Sequence, residues 1–227
     1  MKTTIYLSLI LIFFLGKNVY SQEDYKVEYL FDIENISISG FAGCIVEFTS
    51  INNDFAAATG GGGAVLINQK VFFGGAGSGI ATNHSWPDIY PKNYNPATDN
   101  PITDLQLSFG YGGAWIGYIN QSHKLIHWGV NTIIGGGGIS IYEKEFNVDY
   151  NSYHRDNVFV LLPRIEAEVN MASWFKIRGG IGYRFVYGID NDTYFNENGE
   201  QVKYFKTSDF NTPTINISFM FGAFWLK

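Results

Sequence analysis

The chain has 227 residues, 46% of them apolar and only 16% charged, where a water-exposed domain carries about 25% charged residues. A formal net charge of −6 makes nucleic acid a poor partner, and 26 glycines beside only 6 prolines exclude collagen-like and disordered low-complexity chains. The length suits one domain, since single β-barrels of about 200–250 residues are common.

The chain opens with an export signal over residues 1–21. Lys2 supplies the positive start, Ile5 to Leu15 form an apolar core broken only by Ser8, and Val19-Tyr20-Ser21 precede a cleavage point before Gln22. This core is shorter than the roughly 20 residues that a membrane-spanning helix requires. Cleavage removes Lys2 and Lys17 but no acid, which takes the net charge from −6 to −8. No other stretch is long and apolar enough for such a helix, so membrane insertion requires a closed barrel in which every backbone amide finds a partner. Residues 22–33 are expected to be a short periplasmic segment, and residues 34–227 the barrel. Cys44 is the only cysteine, so no internal disulfide is possible.

From residue 34 onward, period-two alternation broken by turn residues predicts eight strands, at about 35–49, 54–67, 70–82, 104–119, 125–142, 157–171, 175–188 and 211–226. In the second to fifth, Gly60 to Gly63, Gly74-Gly75, Gly112-Gly113 and Gly135 to Gly138 interrupt the pattern, and bulges or register shifts are expected there. The glycines themselves are expected inside, where a narrow barrel leaves little room. A phosphate-cradling loop at Gly60 to Gly63 is excluded by the missing Gly-Lys-Ser/Thr. The sixth strand sets Phe159, Leu161, Ile165 and Val169 opposite a face with Arg164, Glu166, Glu168 and Asn170. The seventh sets Phe175, Ile177, Ile181, Tyr183 and Phe185 opposite Lys176, Arg178 and Arg184. A three-residue turn at Ala172 to Trp174 would pair Met171 with Phe175, and then Glu168 meets Arg178 and Asn170 meets Lys176. The last strand repeats the alternation, with Met220 and Phe224 as exceptions.

The connections alternate short (68–70, 120–124, 172–174) and long (83–103, 143–156, 189–210), with 50–53 as a short exception among the long set. In a bacterial outer-membrane barrel the periplasmic turns are short, the external loops long, and an even strand count returns both termini to the periplasm. The bulky faces are expected to point outward, because eight strands enclose only enough space for side chains. The predicted fold class is therefore all-β, an eight-stranded antiparallel up-and-down transmembrane β-barrel.

This pattern, with the closing strand Ile215-Asn216-Ile217-Ser218-Phe219-Met220-Phe221-Gly222-Ala223-Phe224-Trp225, resembles small eight-stranded outer-membrane β-barrel proteins of Gram-negative bacteria, mostly uncharacterised members. The likeness covers about residues 34–227. Gly40-Phe41-Ala42-Gly43 and Gly110-Tyr111-Gly112-Gly113 also look like strands of such proteins. The closing strand looks like the carboxyl-terminal signal that the barrel-assembly machinery reads, although it ends in Leu226-Lys227 rather than an aromatic residue. The resemblance implies residence in the outer membrane, with lipid and lipopolysaccharide as surroundings, and brings no activity with it.

Arg164, Glu166, Glu168, Lys176, Arg178 and Arg184 form the expected lumenal polar cluster, either a plug of ion pairs or the lining of a narrow ion path. A wide pore is not expected, since water-filled barrels use about sixteen strands. Trp86, Tyr90 and Tyr94, among four prolines, mark the loop after the third strand as the expected surface contact, for an unknown partner. His127 falls in a strand, while His84, His123 and His154 are read as lying in connections. Ser152 with His154, or His84 with Ser85, supported by Asp88 or Asp156, could serve a lipid-modifying enzyme. Spacing this loose recurs by chance, and no catalytic residue is assigned. Asp190, Asp192, Glu197 and Glu200 lack the spacing of a calcium loop, so no metal and no cofactor is expected. A structural or surface-interaction barrel leads, with a lipid-modifying enzyme or a narrow ion channel as alternatives.

Overall fold

The computed structural model describes residues 36–143 and 152–224. The export signal, the segment 22–33, residues 34–35, residues 144–151 of the connection between the fifth and sixth predicted strands, and Trp225 to Lys227 lie outside the described residues. Eight long strands make the wall: β1 (Ile38–Ile51), β2 (Asp54–Ile67), β3 (Val71–Ile80), β5 (Leu105–Asn120), β6 (Ile126–Glu143), β7 (Ser152–Ala172), β8 (Phe175–Tyr187) and β11 (Thr212–Gly222). Three short strands, β4 (His84–Ser85), β9 (Thr193–Phe195) and β10 (Gln201–Lys203), and one helical turn, α1 (Thr207–Phe210), belong to the long loops. Each wall strand pairs antiparallel with the next, and β11 closes on β1. The predicted up-and-down order and all eight strands are present, and β7 begins five residues earlier than expected, at Ser152.

Register fixes the dimensions of the barrel. A walk through paired residues runs from Ile38 through Ile67, Val71, Tyr118, Val130, Ile165, Ile181 and Ile215 to Phe48, ten residues further along β1. For eight strands that stagger implies a tilt of about 40° and a backbone radius of about 8 Å. All nine residues on the walk are apolar or aromatic and on the outer side. Strict alternation explains this: in β11, Thr214, Asn216, Ser218 and Met220 are buried while Ile215, Ile217, Phe219 and Phe221 are exposed.

Two expectations about register are corrected. The glycine runs cause no bulge, since β2, β3, β5 and β6 pair without a shift through all of them. An extended glycine keeps the side-chain period even though it carries no side chain. The shifts lie instead between Ile141 and Tyr142 and between Asn170 and Ala172. The second alters the predicted hairpin: Glu168 does face Arg178 and Asn170 does face Lys176, but Ala172, not Met171, pairs with Phe175. Met171 is the extra residue of a bulge, because Asn170 stays turned inward, where its amide donates to the carbonyls of Ser122 and Lys124. The tight connection of β1 to β2 rests on Asn52 and Asn53 at φ of 49° and 67°, the left-handed geometry a two-residue hairpin needs and asparagine tolerates.

The glycines do not all point inward either. Gly43, Gly117, Gly180, Gly182 and Gly222 are inside, where a Cβ would strike Met220, Phe72, Glu166, Arg164 and Phe41 respectively. Each is the register partner of the side chain it would meet, so these glycines clear space for a long side chain on the neighbouring strand to lie over them. Gly61, Gly63, Gly75, Gly77, Gly79, Gly110, Gly112, Gly136 and Gly138 occupy the alternate, outer positions.

Candidate functional site: a filled lumen under a loop cap

The lumen contains two stacked charge clusters. Nearer the long loops, Glu47 of β1 accepts from Tyr111 at 2.9 and 3.0 Å, lies 3.4 Å from Arg184, and pairs closely with Arg164. Arg184 also donates to the carbonyls of Phe210 and Ser50, at 3.1 and 3.2 Å, and so ties the cluster to α1 and to the first hairpin. Nearer the short turns, Glu168 lies 3.0 Å from Arg178, 3.6 Å from Lys176 and 3.1 Å from His127. Glu166 sits between the clusters and accepts from the Asn216 amide at 2.7 Å. Every one of the six sequence-predicted lumenal residues is therefore inside, in two groups rather than one. Glu47 and Tyr111, which complete the first group, were not singled out from the sequence.

The bulky faces of β7, β8 and β11 point outward as expected, and a second set of large rings, from β1, β3, β5 and the end of the chain, fills the remaining space inside. Arg178 stands over Phe41, Phe72 and Trp115 at 4.7, 5.3 and 5.6 Å, and Lys176 over Phe224 at 4.5 Å. Cation–π contact stabilises a desolvated guanidinium by about 2 kcal/mol or more, so these rings help to satisfy a charge that water cannot reach. Glu47 and Arg178 are 0% exposed and Lys176, Arg184 and Glu168 1%, so at these levels the lumen holds packed side chains and no water column. Burying a charge without a partner is costly, and interlocked pairs are how a narrow barrel carries ionic groups inside.

The long-loop end is capped. Phe210 of α1 enters the mouth against Phe109 at 5.3 Å, and Phe205 packs on both Phe210 and Trp86. Asn52 donates to the Asp209 carbonyl, and Asn211 accepts from the Val186 amide. Trp86, Tyr90 and Tyr94 are each half-buried. Trp86 faces the cap, whereas Tyr90 and Tyr94 meet edge to face at 4.9 Å, with the Tyr90 amide bonded to the Phe195 carbonyl of β9. The loops after β3 and β8 thus form one interlocked surface.

Three of the four histidines are held by the scaffold, and His123 is exposed. His127 is bound between Glu168 and the Lys124 carbonyl. His84 lies in β4, not in an irregular connection; it is buried and bonded to Thr82, while Ser85 on the other face is exposed, so those two do not act together. His154 lies in β7, 2.9 Å from Asp156 and stacked on Tyr204 at 4.1 Å. Burial, followed by the charge of Asp192, pushes the Tyr204 phenol above its ordinary pKa, so that ring stays neutral at physiological pH. Asp190, Asp192, Glu197 and Glu200 do not converge, and no group of three or more metal-ligating side chains exists among the described residues.

Outside, the wall carries Ile165, Ile181, Ile215 and Ile217 at mid-height, all exposed. Trp128, Trp174 and Phe221 ring the short-turn end, and Phe48, Phe55, Phe159 and Tyr187 the long-loop end. From Phe175 to Tyr187 the wall rises by about 30 Å at this tilt, the height of a bilayer core. Fold and surface define the class: an eight-stranded transmembrane β-barrel of the outer-membrane type, with an apolar belt between two aromatic girdles.

No protein-family model and no curated protein matches the sequence. Among solved structures, the chain is similar to Neisserial surface protein A at 8% identity and a TM-score of 0.49, over 84% of this chain and 99% of that one. It is also similar to Ail, the attachment invasion locus protein of Yersinia pestis, at 10% identity and a TM-score of 0.44, over 82% of this chain and 97% of that one. The structure of Ail in complex with the heparin analogue sucrose octasulfate matches at 10% identity and a TM-score of 0.45, again over 82% and 97%.

Proposed function

We propose that this protein is an outer-membrane barrel closed to transport, which acts as a structural and surface-interaction element through its long-loop end. The packed lumen carries this reading, because its buried charges leave no route for solutes while the interlocked loops present an ordered surface. The export signal and closing strand support delivery by the barrel-assembly machinery. The even strand count supports both termini facing the periplasm, with the cap among lipopolysaccharide sugars. Tyr90 and Tyr94 are the contact residues of the loop after β3, and Trp86 is the anchor that holds that loop on Phe205.

Purified protein in planar bilayers is expected to give no conductance steps, and intact cells displaying the Tyr90→Ala/Tyr94→Ala protein are expected to lose surface binding while the barrel stays folded. Stepwise conductance would contradict the closed lumen. Binding unchanged by the double substitution would contradict the role of the loop. A lipid-modifying enzyme is the second reading, favoured by the His154–Asp156 contact at the membrane-distal end of β7. Outer-membrane lipid unchanged in mass spectra after His154→Ala would dismiss it.

A further inference from the structure

Beyond Ile80, where β3 ends, the short strand β4 takes its place beside β5, with Ser85 opposite Gln106. The corner so formed holds a cavity of about 290 Å³, lined by Ser85, Trp86, Asp88, Asp104, Leu105 and Gln106. On β5, Gln106 lies six residues beyond Gly112, whose register line runs through Gly136 to Phe159 of the long-loop girdle, so the cavity stands clear of the apolar belt.

The polar groups of this cavity are unmatched within the chain. Gln106 is 8% exposed, and its amide oxygen accepts from the Tyr142 hydroxyl at 3.2 Å, while its amide nitrogen has no partner among the described residues. The Trp86 indole nitrogen is likewise buried without a partner, although the ring is anchored against Phe205. Asp88 and Asp104 take part in none of the ion pairs among the described residues. A buried donor without an acceptor is costly, and a folded chain that keeps one calls for a partner from elsewhere. Two donors here need acceptors, and the two carboxylates beside them favour a cation.

We propose that this cavity binds one amino-sugar unit, a pyranose with a free ammonium group, which sets its ammonium against Asp88 and Asp104 while its hydroxyls accept from Gln106 and Trp86. A lysine or arginine side chain would suit the carboxylates but offers no acceptor to either donor. An acidic or phosphorylated sugar would meet the donors but is repelled by the carboxylates, and a divalent cation takes oxygen ligands and has no use for N–H groups. A cavity of this size is at the lower end of ligand pockets, which suits one ring and not a chain. The inference deepens the surface-interaction reading and rests on it for the external position of the site.

The test is saturation-transfer NMR on the purified protein in detergent micelles, at a slightly acid pH that keeps the amine charged. Glucosamine is the probe; N-acetylglucosamine, which lacks the charge, and Nα-acetyl-lysine amide, which presents the side chain of a basic protein, are the controls. Glucosamine is expected to bind about tenfold more tightly than either, as charge-assisted hydrogen bonds require. Gln106→Leu and the pair Asp88→Asn/Asp104→Asn should each weaken it by about that factor, with heat-modifiable migration retained, and the pair should also erase the preference over N-acetylglucosamine. No transfer to glucosamine in folded protein, or transfer unchanged by these variants, overturns the proposal and leaves the surface-interaction reading standing. Acetyl-lysine amide bound as tightly as glucosamine overturns it in favour of a basic protein partner. Competition by added lipopolysaccharide would assign the sugar to the cell's own glycolipid, and lack of competition to a free or foreign glycan; either supports the site. In intact cells a membrane-impermeant maleimide is expected to label Ser85→Cys in a Cys44→Ser background. Labelling only after lysis would remove the external reading, and the proposal with it.

Discussion

Glu47→Ala is expected to destabilise the barrel by about 3–5 kcal/mol, the usual consequence of removing one side of a buried ion pair. Glu47 is the acceptor on which Arg164, Arg184 and the Tyr111 hydroxyl converge. Its loss leaves two guanidiniums in a space that water does not reach, with Arg184 left to the Phe210 and Ser50 carbonyls and the face of Phe109. Because those carbonyls belong to the cap and the first hairpin, the long-loop end should loosen first. The urea midpoint of the detergent-solubilised protein, followed by heat-modifiable migration, checks the magnitude, and Glu47→Gln should recover part of it by keeping an acceptor. A midpoint unchanged by Glu47→Ala would mean that the cluster is hydrated and the lumen open.

Ile181→Arg carries the second large effect. Ile181 is 60% exposed, paired with Ile165 on one side and Ile215 on the other, at the middle of the apolar belt. Arginine on the lipid face costs about 2–4 kcal/mol at the bilayer midplane and about 0–1 kcal/mol near the interface. Ile181→Arg should therefore lower folding stability in lipid vesicles by the larger amount, and Tyr187→Arg, at the long-loop girdle, by little. On a water-soluble barrel neither substitution would cost much, since each adds a charge to a solvated face. The contrast between the two variants in one assay distinguishes lipid from water as the outer solvent.

The sequence displayed the second half of the wall better than the first. In β7, β8 and β11 one face is charged or polar and the other bulky, so alternation, hairpin register and the inward direction of Arg164, Glu168, Lys176 and Arg178 could all be read locally. In β1 the inward Phe41, Gly43, Ile45 and Glu47 alternate with the outward Gly40, Ala42, Cys44 and Val46, and neither set is plainly polar. Direction there is fixed by closure onto β11. The partners that make Glu47 central, Arg164 and Arg184, lie 117 and 137 residues away, beyond the reach of any local pattern.

The aromatic residues show the same limit. Size alone sends rings outward from a narrow barrel, yet Phe41, Phe72 and Trp115 fit inside because the glycines paired with them on neighbouring strands give up their volume, as Gly117 does for Phe72. Which ring meets which gap depends on registers that only the closed barrel sets. Glycine direction was hidden for a related reason: in a run such as Gly60 to Gly63 successive residues point in opposite directions, and the run itself carries no mark of which comes first.

Methyl NMR of the refolded protein in bilayer discs that contain a lipid spin-labelled along its acyl chain reads directly which side chains face hydrocarbon. The outward methyl groups of Ile165, Ile181, Ile215 and Ile217 should broaden strongly, while those of Ile45, Ile133 and Ile139, buried in the lumen, should remain sharp. Broadening of the second set with the first left sharp, or no broadening of either, would contradict a barrel with its aliphatic belt in hydrocarbon and its charges inside.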